Sequence, residues 1–161
     1  LENGRPSQAE SLARDAAKEF ETENDADQRT AAEDVLAQSL IAQGDYDGAA
    51  KEIDLARKLG ARDLPTTLSL TITRAKLLAK TAKSAEAERE LQQVGSHAAE
   101  KGLLGLECQA RLALADAQIV SGNLASARAN LQLVKREAAA RGFHLLARKA
   151  AEAEASLRNR S

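Results

Sequence analysis

The stretch Gly44-Asp45-Tyr46-Asp47-Gly48-Ala49-Ala50 is where one helix is expected to end and the next to begin. Glycine is common just past the last turn of a helix, and aspartate is a preferred N-cap. The same arrangement, a break residue followed five positions later by an alanine, occurs at Gly4/Ala9, Ala82/Ala87 and Gly122/Ala127. The repeated spacing predicts a chain built from similar helical segments.

An alanine-rich, aromatic-poor composition predicts an all-α fold. The 161 residues are 43% hydrophobic but only 2% aromatic, whereas β-sheet cores favour aromatic and β-branched residues. Alanine has the highest helix propensity, and small residues let packed helices approach each other closely. Apolar periodicity and break residues predict about eight helices, at residues 8–23, 28–43, 46–59, 66–80, 85–100, 104–120, 124–140 and 143–157.

Charge and hydropathy exclude several classes of function. The net charge of −1 argues against a nucleic-acid partner, because such proteins usually carry clustered Lys and Arg in excess. No apolar run reaches the roughly 18 to 20 residues of a membrane-spanning helix. The lone Cys108 allows no intramolecular disulfide, which favours a reducing, cytoplasmic location. Because the chain also lacks methionine, we expect a fragment of a larger protein.

No residue pattern predicts catalysis or metal binding. His97 and His144 are far apart in the sequence, and neither has a Cys, Asp or Glu at a metal-ligand spacing. Cys108 is expected to be a small buried hydrophobe rather than a nucleophile. The glycines match neither dinucleotide-binding nor P-loop spacing. We therefore expect a chain that is not an enzyme and that has no catalytic residues, no metal site and no cofactor.

A long internal repeat organises the chain. Ala49, Ala87 and Ala127 follow one another at nearly equal intervals. The period lies within the range that predicts stacked pairs of helices. The positions that recur with each alanine are Ile53/Leu91/Leu131, Ala56/Val94/Val134 and, on the preceding helix, Ala37/Ala75/Ala115.

This pattern resembles the tetratricopeptide repeat family, whose unit is a helix A, a turn and a helix B. The matching residues are Ala37, Gly44-Asp45-Tyr46, Ala49, Ile53 and Ala56, and later Ala115, Gly122-Asn123-Leu124, Ala127, Leu131 and Val134. The middle unit has a degenerate turn, and the family's proline at the end of helix B is absent. The period is longer than the family's basic unit and is similar to the long-unit subclass of bacterial regulators. The resemblance implies an α-solenoid of antiparallel helix pairs in a right-handed superhelix.

The resemblance also divides the chain into units. It implies a half unit at residues 4–27, full units at 28–65, 66–103 and 104–142, and a C-terminal capping helix at 143–158. The half unit has an apolar face with Leu12, Ala16 and Phe20 and has no cap. An apolar face of this kind predicts homo-association or packing against an upstream domain of the same chain.

In this family the A helices line a concave groove that binds peptides. Mapping the groove positions onto this sequence gives Asp34, Gln38, Ile41, Ser69, Ile72, Lys76, Lys80, Gln109, Leu112, Asp116 and Ile119. The resemblance implies a non-catalytic module that binds a protein or peptide within a larger regulatory protein. Two alternatives stay open: a sensor domain for a small effector, and a face that is only solvated or packs against an upstream domain.

Overall fold

The computed structural model describes residues 6–158, and this part of the chain contains eight α-helices and no strand. The helices are α1 (Pro6–Glu23), α2 (Ala26–Gln43), α3 (Tyr46–Leu59), α4 (Leu64–Lys80), α5 (Ser84–Glu100), α6 (Leu104–Val120), α7 (Leu124–Ala140) and α8 (His144–Arg158). Short loops join them. The prediction of an all-α fold built from packed consecutive helices is confirmed. Gly4, the first predicted break residue, lies outside the described residues.

Helix boundaries agree closely with the sequence pattern, but α1, α2 and α4 each begin two residues earlier than predicted. Asp25, rather than a later residue, is the N-cap of α2, because its Oδ1 accepts the backbone N–H of Gln28 at 3.0 Å. Asp27 was expected in the loop but belongs to the first helical turn. Its Oδ1 accepts the backbone N–H groups of Arg62 and Asp63 at 2.6 and 3.0 Å, which ties the loop before α4 to α2.

One type of turn recurs along the chain. At the end of α2, Gly44 has φ +83°, and the next residue, Asp45, donates its backbone N–H to the Leu40 carbonyl at 2.9 Å. This Schellman arrangement satisfies carbonyl groups that the end of the helix leaves unpaired. The same bond closes α1, α4, α5, α6 and α7, as Asp25→Phe20, Lys83→Leu78, Leu103→Ala98, Asn123→Gln118 and Phe143→Ala138.

The residue after each turn frequently caps the next helix. Asp45 accepts the Gly48 backbone N–H at 2.9 Å, and Asn123 accepts that of Ser126 at 3.4 Å. Asp63 accepts both the backbone N–H and the hydroxyl of Thr66 at 2.9 and 2.7 Å. These bonds from Thr66 favour the charged carboxylate and lower the pKa of Asp63. Helix stop and helix start are thus contained in a few adjacent residues.

The contacts divide the chain into two compact units, with the division between Leu77 and Leu78 inside α4. In the first unit, α2 packs against α1 and α3. Ala37 and Ala49 are fully buried, and their small side chains permit close helix packing. Tyr46 and Ile41 pack against this core. The buried residues of the core are Ala13, Leu36, Ala37, Leu40, Ala49, Ile53, Ala56, Leu70 and Leu77.

In the second unit, α6 packs against α5 and α7, and α7 packs against α8. One core cluster of this unit joins α6, α7 and α8, and it contains Cys108, Ala115, Ala127, Leu131, Val134, Ala138, Ala150 and Leu157. Following the repeat, we call α2, α4, α6 and α8 the A helices and α1, α3, α5 and α7 the B helices. Each described core again combines small alanines with a few branched aliphatic residues.

The last A helix, α8, differs from α6 on one face. Cys108 and Leu112 of α6 pack in the core shared with α7. Cys108 and Leu112 lie four and eight residues after the first residue of α6. The residues four and eight positions after the first residue of α8 are Arg148 and Glu152. These side chains lie 3.7 Å apart and are 67% and 68% exposed. The face of α8 that corresponds to the B-helix contact of α6 is therefore charged and solvated.

The turn between α4 and α5 keeps the common geometry without a glycine. Ala82 has φ +61°, and a residue with a Cβ in the left-handed region meets a steric cost of about 1–2 kcal/mol. Asn24, at φ +57° after α1, is better tolerated because asparagine visits this region more readily. The turn at Ala82 is therefore strained by its side chain.

We expect Ala82→Gly to raise the free energy of unfolding by about 1 kcal/mol, because glycine adopts positive φ without the Cβ clash. Urea denaturation followed by circular dichroism measures the change. Ala129→Gly is the matched control, since Ala129 is exposed in the middle of α7; there the same substitution should lower stability by about 1 kcal/mol. Equal losses in both variants would contradict the assignment of strain to Ala82.

Candidate functional site

Three of the predicted groove residues meet in the first unit. Oδ2 of Asp34 on α2 accepts the hydroxyl of Ser69 on α4 at 2.6 Å. The same oxygen accepts the side-chain amide of Gln38 at 3.1 Å. Predicted residues from two A helices are therefore brought together, and the Asp34 carboxylate ties α2 to α4.

The second oxygen of the Asp34 carboxylate has no hydrogen-bond donor. Asp34 is only 4% exposed, and its Oδ1 is buried without a partner among the described residues. A buried polar atom that lacks its hydrogen bond costs about 1–3 kcal/mol. The folded first unit therefore carries the cost of one unsatisfied, buried carboxylate oxygen.

Ile72 does not lie where the groove prediction needs it. The residue was expected as an apolar anchor at the surface, but it is 2% exposed and lies in the interior. The reason is that α4 carries apolar or small residues on most of its sides, and a helix of this kind is buried nearly all round. Of the other predicted residues of this unit, Ile41 is half-buried against the core, and Lys76 is also half-buried.

The predicted groove residues of the second unit lie mainly along α6. Gln109 and Asp116 are exposed, whereas Leu112 and Ile119 are half-buried and pack on the core shared with α7 and α8. Their spacing of three and four residues puts all four on one stripe of the helix. We call these four residues the α6 stripe. The remaining predicted residue, Lys80 at the end of α4, is exposed.

A second surface feature of this unit escaped the sequence analysis. A cleft of about 420 Å³ lies between α5 and α7, above the side of α6 that carries Arg111, Leu114 and Gln118. We call it the α5–α7 cleft. Gln118 is 4% exposed, and its Oε1 accepts the side-chain amide of Asn130 from α7 at 2.9 Å. Arg111 donates through Nε and Nη2 to one oxygen of Glu107.

Gly95 forms part of the wall of this cleft. It lies in the middle of α5, where glycine weakens a helix by about 1 kcal/mol relative to alanine, and it lines the cleft. A Cβ at Gly95 would lie 3.8 Å from the Cβ of Ala110, an ordinary contact, so helix packing does not require glycine. This mid-helix glycine is the signal by which the cleft could have been found in the sequence.

In the first unit, the corresponding cleft is filled with charge. It has a volume of about 270 Å³, lies between α1 and α3 above α2, and is lined by Arg14, Lys18, Glu21, Arg29, Glu33 and Glu52. Arg29 contacts Glu21 at 3.0 Å and Glu33 at 3.8 Å, and Arg14 lies 3.7 Å from Glu52. Burial and the neighbouring Glu52 carboxylate raise the pKa of Glu33. The charges are mutually compensated rather than presented to a ligand.

An apolar groove marks the N-terminal face of the first unit. It has a volume of about 400 Å³ and is lined by side chains of α1 and α2, including Leu12, Ala16, Phe20 and Val35. Leu12 is 71% exposed and Val35 is 39% exposed. We call this surface the N-terminal groove. It contains the three residues that the sequence placed on the apolar face of the half unit.

Within residues 6–158, no group of three or more His, Cys, Asp and Glu residues could hold a metal ion. Cys108 is buried, and burial raises the pKa of its thiol, which disfavours the reactive thiolate. The same described residues include no helix with both the length and the apolar character needed to cross a membrane.

Comparison of the chain with protein-family models, curated proteins and solved structures finds no match.

Glu33 gives the fold a specific pH dependence. Its pKa is raised in the folded chain, so between the ordinary and the raised pKa the folded chain binds more protons than the unfolded chain, and stability falls as pH rises through this interval. At pH 7 the buried charge opposes folding. Glu33→Gln should therefore raise the melting temperature at pH 7 by on the order of 2 °C, and this gain should shrink below the ordinary pKa of 4.5.

Calorimetry at pH 7 and near pH 4 measures this difference. Glu19→Gln is the matched control for removal of one negative charge, because Glu19 is exposed on the same unit. A gain for Glu33→Gln that is equal at both pH values would show that the effect does not arise from ionisation of the buried carboxyl group.

Proposed function

We propose that this chain is a non-catalytic interaction module that binds a protein or peptide through the exposed faces of its A helices, within a larger regulatory protein. The observation that supports this proposal is the α6 stripe, where exposed Gln109 and Asp116 alternate with half-buried Leu112 and Ile119. Apolar side chains beside polar ones give a peptide both an anchor and hydrogen-bond partners. The resemblance to tetratricopeptide repeats implies the same use of A helices.

Two further properties favour this surface. The stripe lies on a helix that packs against α5 and α7, so its side chains keep a fixed spacing, as a preorganised binding face requires. In the first unit, the buried Oδ1 of Asp34 lacks a donor. An N–H group of a bound chain could supply that donor if the contact of Asp34 with Ser69 opens on binding.

Site-specific photo-crosslinking tests the proposal. A benzophenone amino acid replaces Gln109 on the α6 stripe, and in a matched control it replaces Arg136, which is exposed on the B helix α7. After illumination in an extract of the source cells, we expect a discrete crosslinked protein from position 109 and none from position 136. Adding Asp116→Lys to the first variant should remove the crosslink, with the helical circular dichroism unchanged.

Three outcomes would contradict the proposal. Equal capture from both positions would indicate a non-specific surface, and capture from position 136 alone would assign binding to the B helices. An absence of crosslinks from both positions would reject a protein partner on the α6 stripe.

A second partner that we propose is another copy of this chain, bound through the N-terminal groove. Leu12 is 71% exposed in an otherwise apolar surface, and such surfaces tend to be covered by association. A head-to-tail contact with α8 is disfavoured, because the corresponding face of α8 carries the exposed Arg148–Glu152 pair. Contact between two N-terminal grooves is self-complementary and closes as a two-fold dimer.

Leu12→Glu should therefore abolish dimer formation, because it places two like charges in the contact. Sedimentation velocity over a range of concentrations measures the effect: we expect a monomer–dimer equilibrium for the unchanged chain and a monomer for the variant. Val120→Glu is the matched control, because Val120 is 55% exposed on α6 and does not line the groove. The Val120→Glu variant should dimerise normally. A wild-type chain that stays monomeric at high concentration would reject this proposal.

A further inference from the structure

The α5–α7 cleft reaches α5 at Gly95, a residue without a side chain. The position of Gly95 on α5 is occupied by Arg57 one repeat earlier, on α3, and by Lys135 one repeat later, on α7. Lys135 extends from its helix to pair with Glu154 of α8. Gly95 has no side chain to extend, although its neighbour Ala110 leaves room for a Cβ. The side-chain atoms that Arg57 and Lys135 carry are therefore absent at this edge of the cleft.

The floor of the cleft presents the donor of a side-chain amide. Gln118 is 4% exposed, and its oxygen is already occupied by the Asn130 amide. No described residue accepts a hydrogen bond from the Nε2 atom of Gln118. Nε2 is also not one of the buried side-chain atoms without a partner, so this atom is accessible. This nitrogen must therefore be reached from the cleft that Gln118 lines. Such a donor, held in place by its own oxygen, is fixed in orientation.

A cationic group lies elsewhere in the same cleft. Arg111 also lines the cleft and is 32% exposed through its side chain. Its Nε and Nη2 donate to Glu107 Oε1 at 3.2 and 3.0 Å, which orients the guanidinium group. Its Nη1 is not engaged by any described side chain. Arg111 and Gln118, about two turns apart on one face of α6, thus offer N–H donors to the same cleft.

From this arrangement we infer that the α5–α7 cleft is a binding site for a small organic acid. The carboxylate of the acid accepts hydrogen bonds from Arg111, since a guanidinium group suits its geometry, and the rest of the ligand extends along the cleft toward the Gln118 amide. The hydrocarbon part lies against Leu114 and Ala129, which also line the cleft. The volume of about 420 Å³ falls within the range of about 300–1,000 Å³ typical of small-molecule sites.

This site is separate from the proposed peptide surface. With about 3.6 residues in each helical turn, Arg111, Leu114 and Gln118 point to the side of α6 opposite the α6 stripe. The inference therefore does not depend on peptide binding. It gives the alternative function, sensing of a small effector, a location and a ligand chemistry.

Titration of the isotope-labelled full chain with benzoate, followed by amide NMR spectra at constant ionic strength, tests the inference. We expect saturable shifts of the Gln118 and Asn130 side-chain amides and of the Gly95 backbone amide, with a dissociation constant of about 1 mM. Benzamide has the same shape without the charge, and it should bind about tenfold more weakly.

Gly95→Gln provides the decisive variant. It fills the cleft with an uncharged side chain and removes a glycine from a helix interior, so it should melt at a higher temperature than the unchanged chain while binding of benzoate is lost. Gly95→Ala, which adds one methyl group, should melt higher and still bind. Misfolding cannot explain a loss of binding in a variant that is more stable.

Several results would overturn the inference. The absence of saturable shifts with benzoate, or shifts that persist in Gly95→Gln, would exclude this cleft as the site. Equal affinity for benzamide and benzoate would reject the organic acid as the ligand class. Shifts spread over many surface lysines and arginines would indicate only non-specific association of an anion.

Discussion

The fold depends on a backbone hydrogen bond that spans the turns after α1, α2, α4, α5, α6 and α7. At the end of α2, Asp45 donates its N–H to the Leu40 carbonyl while Gly44 adopts a left-handed conformation. This bond satisfies an otherwise unpaired carbonyl and reverses the chain over a very short stretch. Because the reversal is so short, the next helix must lie against the previous one. Fully buried alanines such as Ala37 and Ala49 then allow the two helices to pack closely.

Much of this architecture can be predicted from the sequence because its causes are local. Glycine followed by Asp or Asn, and alanine at fixed spacing, determine where helices end and which side is buried. The start of α2 was less predictable, because Asp25 and Asp27 are both possible caps and only the folded chain assigns Asp27 to the loop before α4. Ala82 was recognised as a break without glycine, but its strain depends on its backbone angle, which composition does not reveal.

The candidate sites were predicted less completely, since they depend on contacts between distant residues. Ile72 is buried because α4 carries apolar or small residues on most of its sides, whereas the groove prediction considered only one helical face. The hydrogen bond from Ser69 to Asp34 joins residues 35 positions apart. The α5–α7 cleft is lined by residues of three helices, α5, α6 and α7. Its only trace in the sequence is a glycine where the neighbouring units carry Arg57 and Lys135.

The position of Tyr46 has a practical consequence for studies of the two units. The chain contains one tyrosine and no tryptophan, and Tyr46 packs against the core of the first unit. Its intrinsic fluorescence is therefore an optical reporter of that unit, whereas far-ultraviolet ellipticity averages over all helices. Coincident thermal transitions from the two optical methods indicate one cooperative body, and separated transitions indicate two bodies that lose their structure independently.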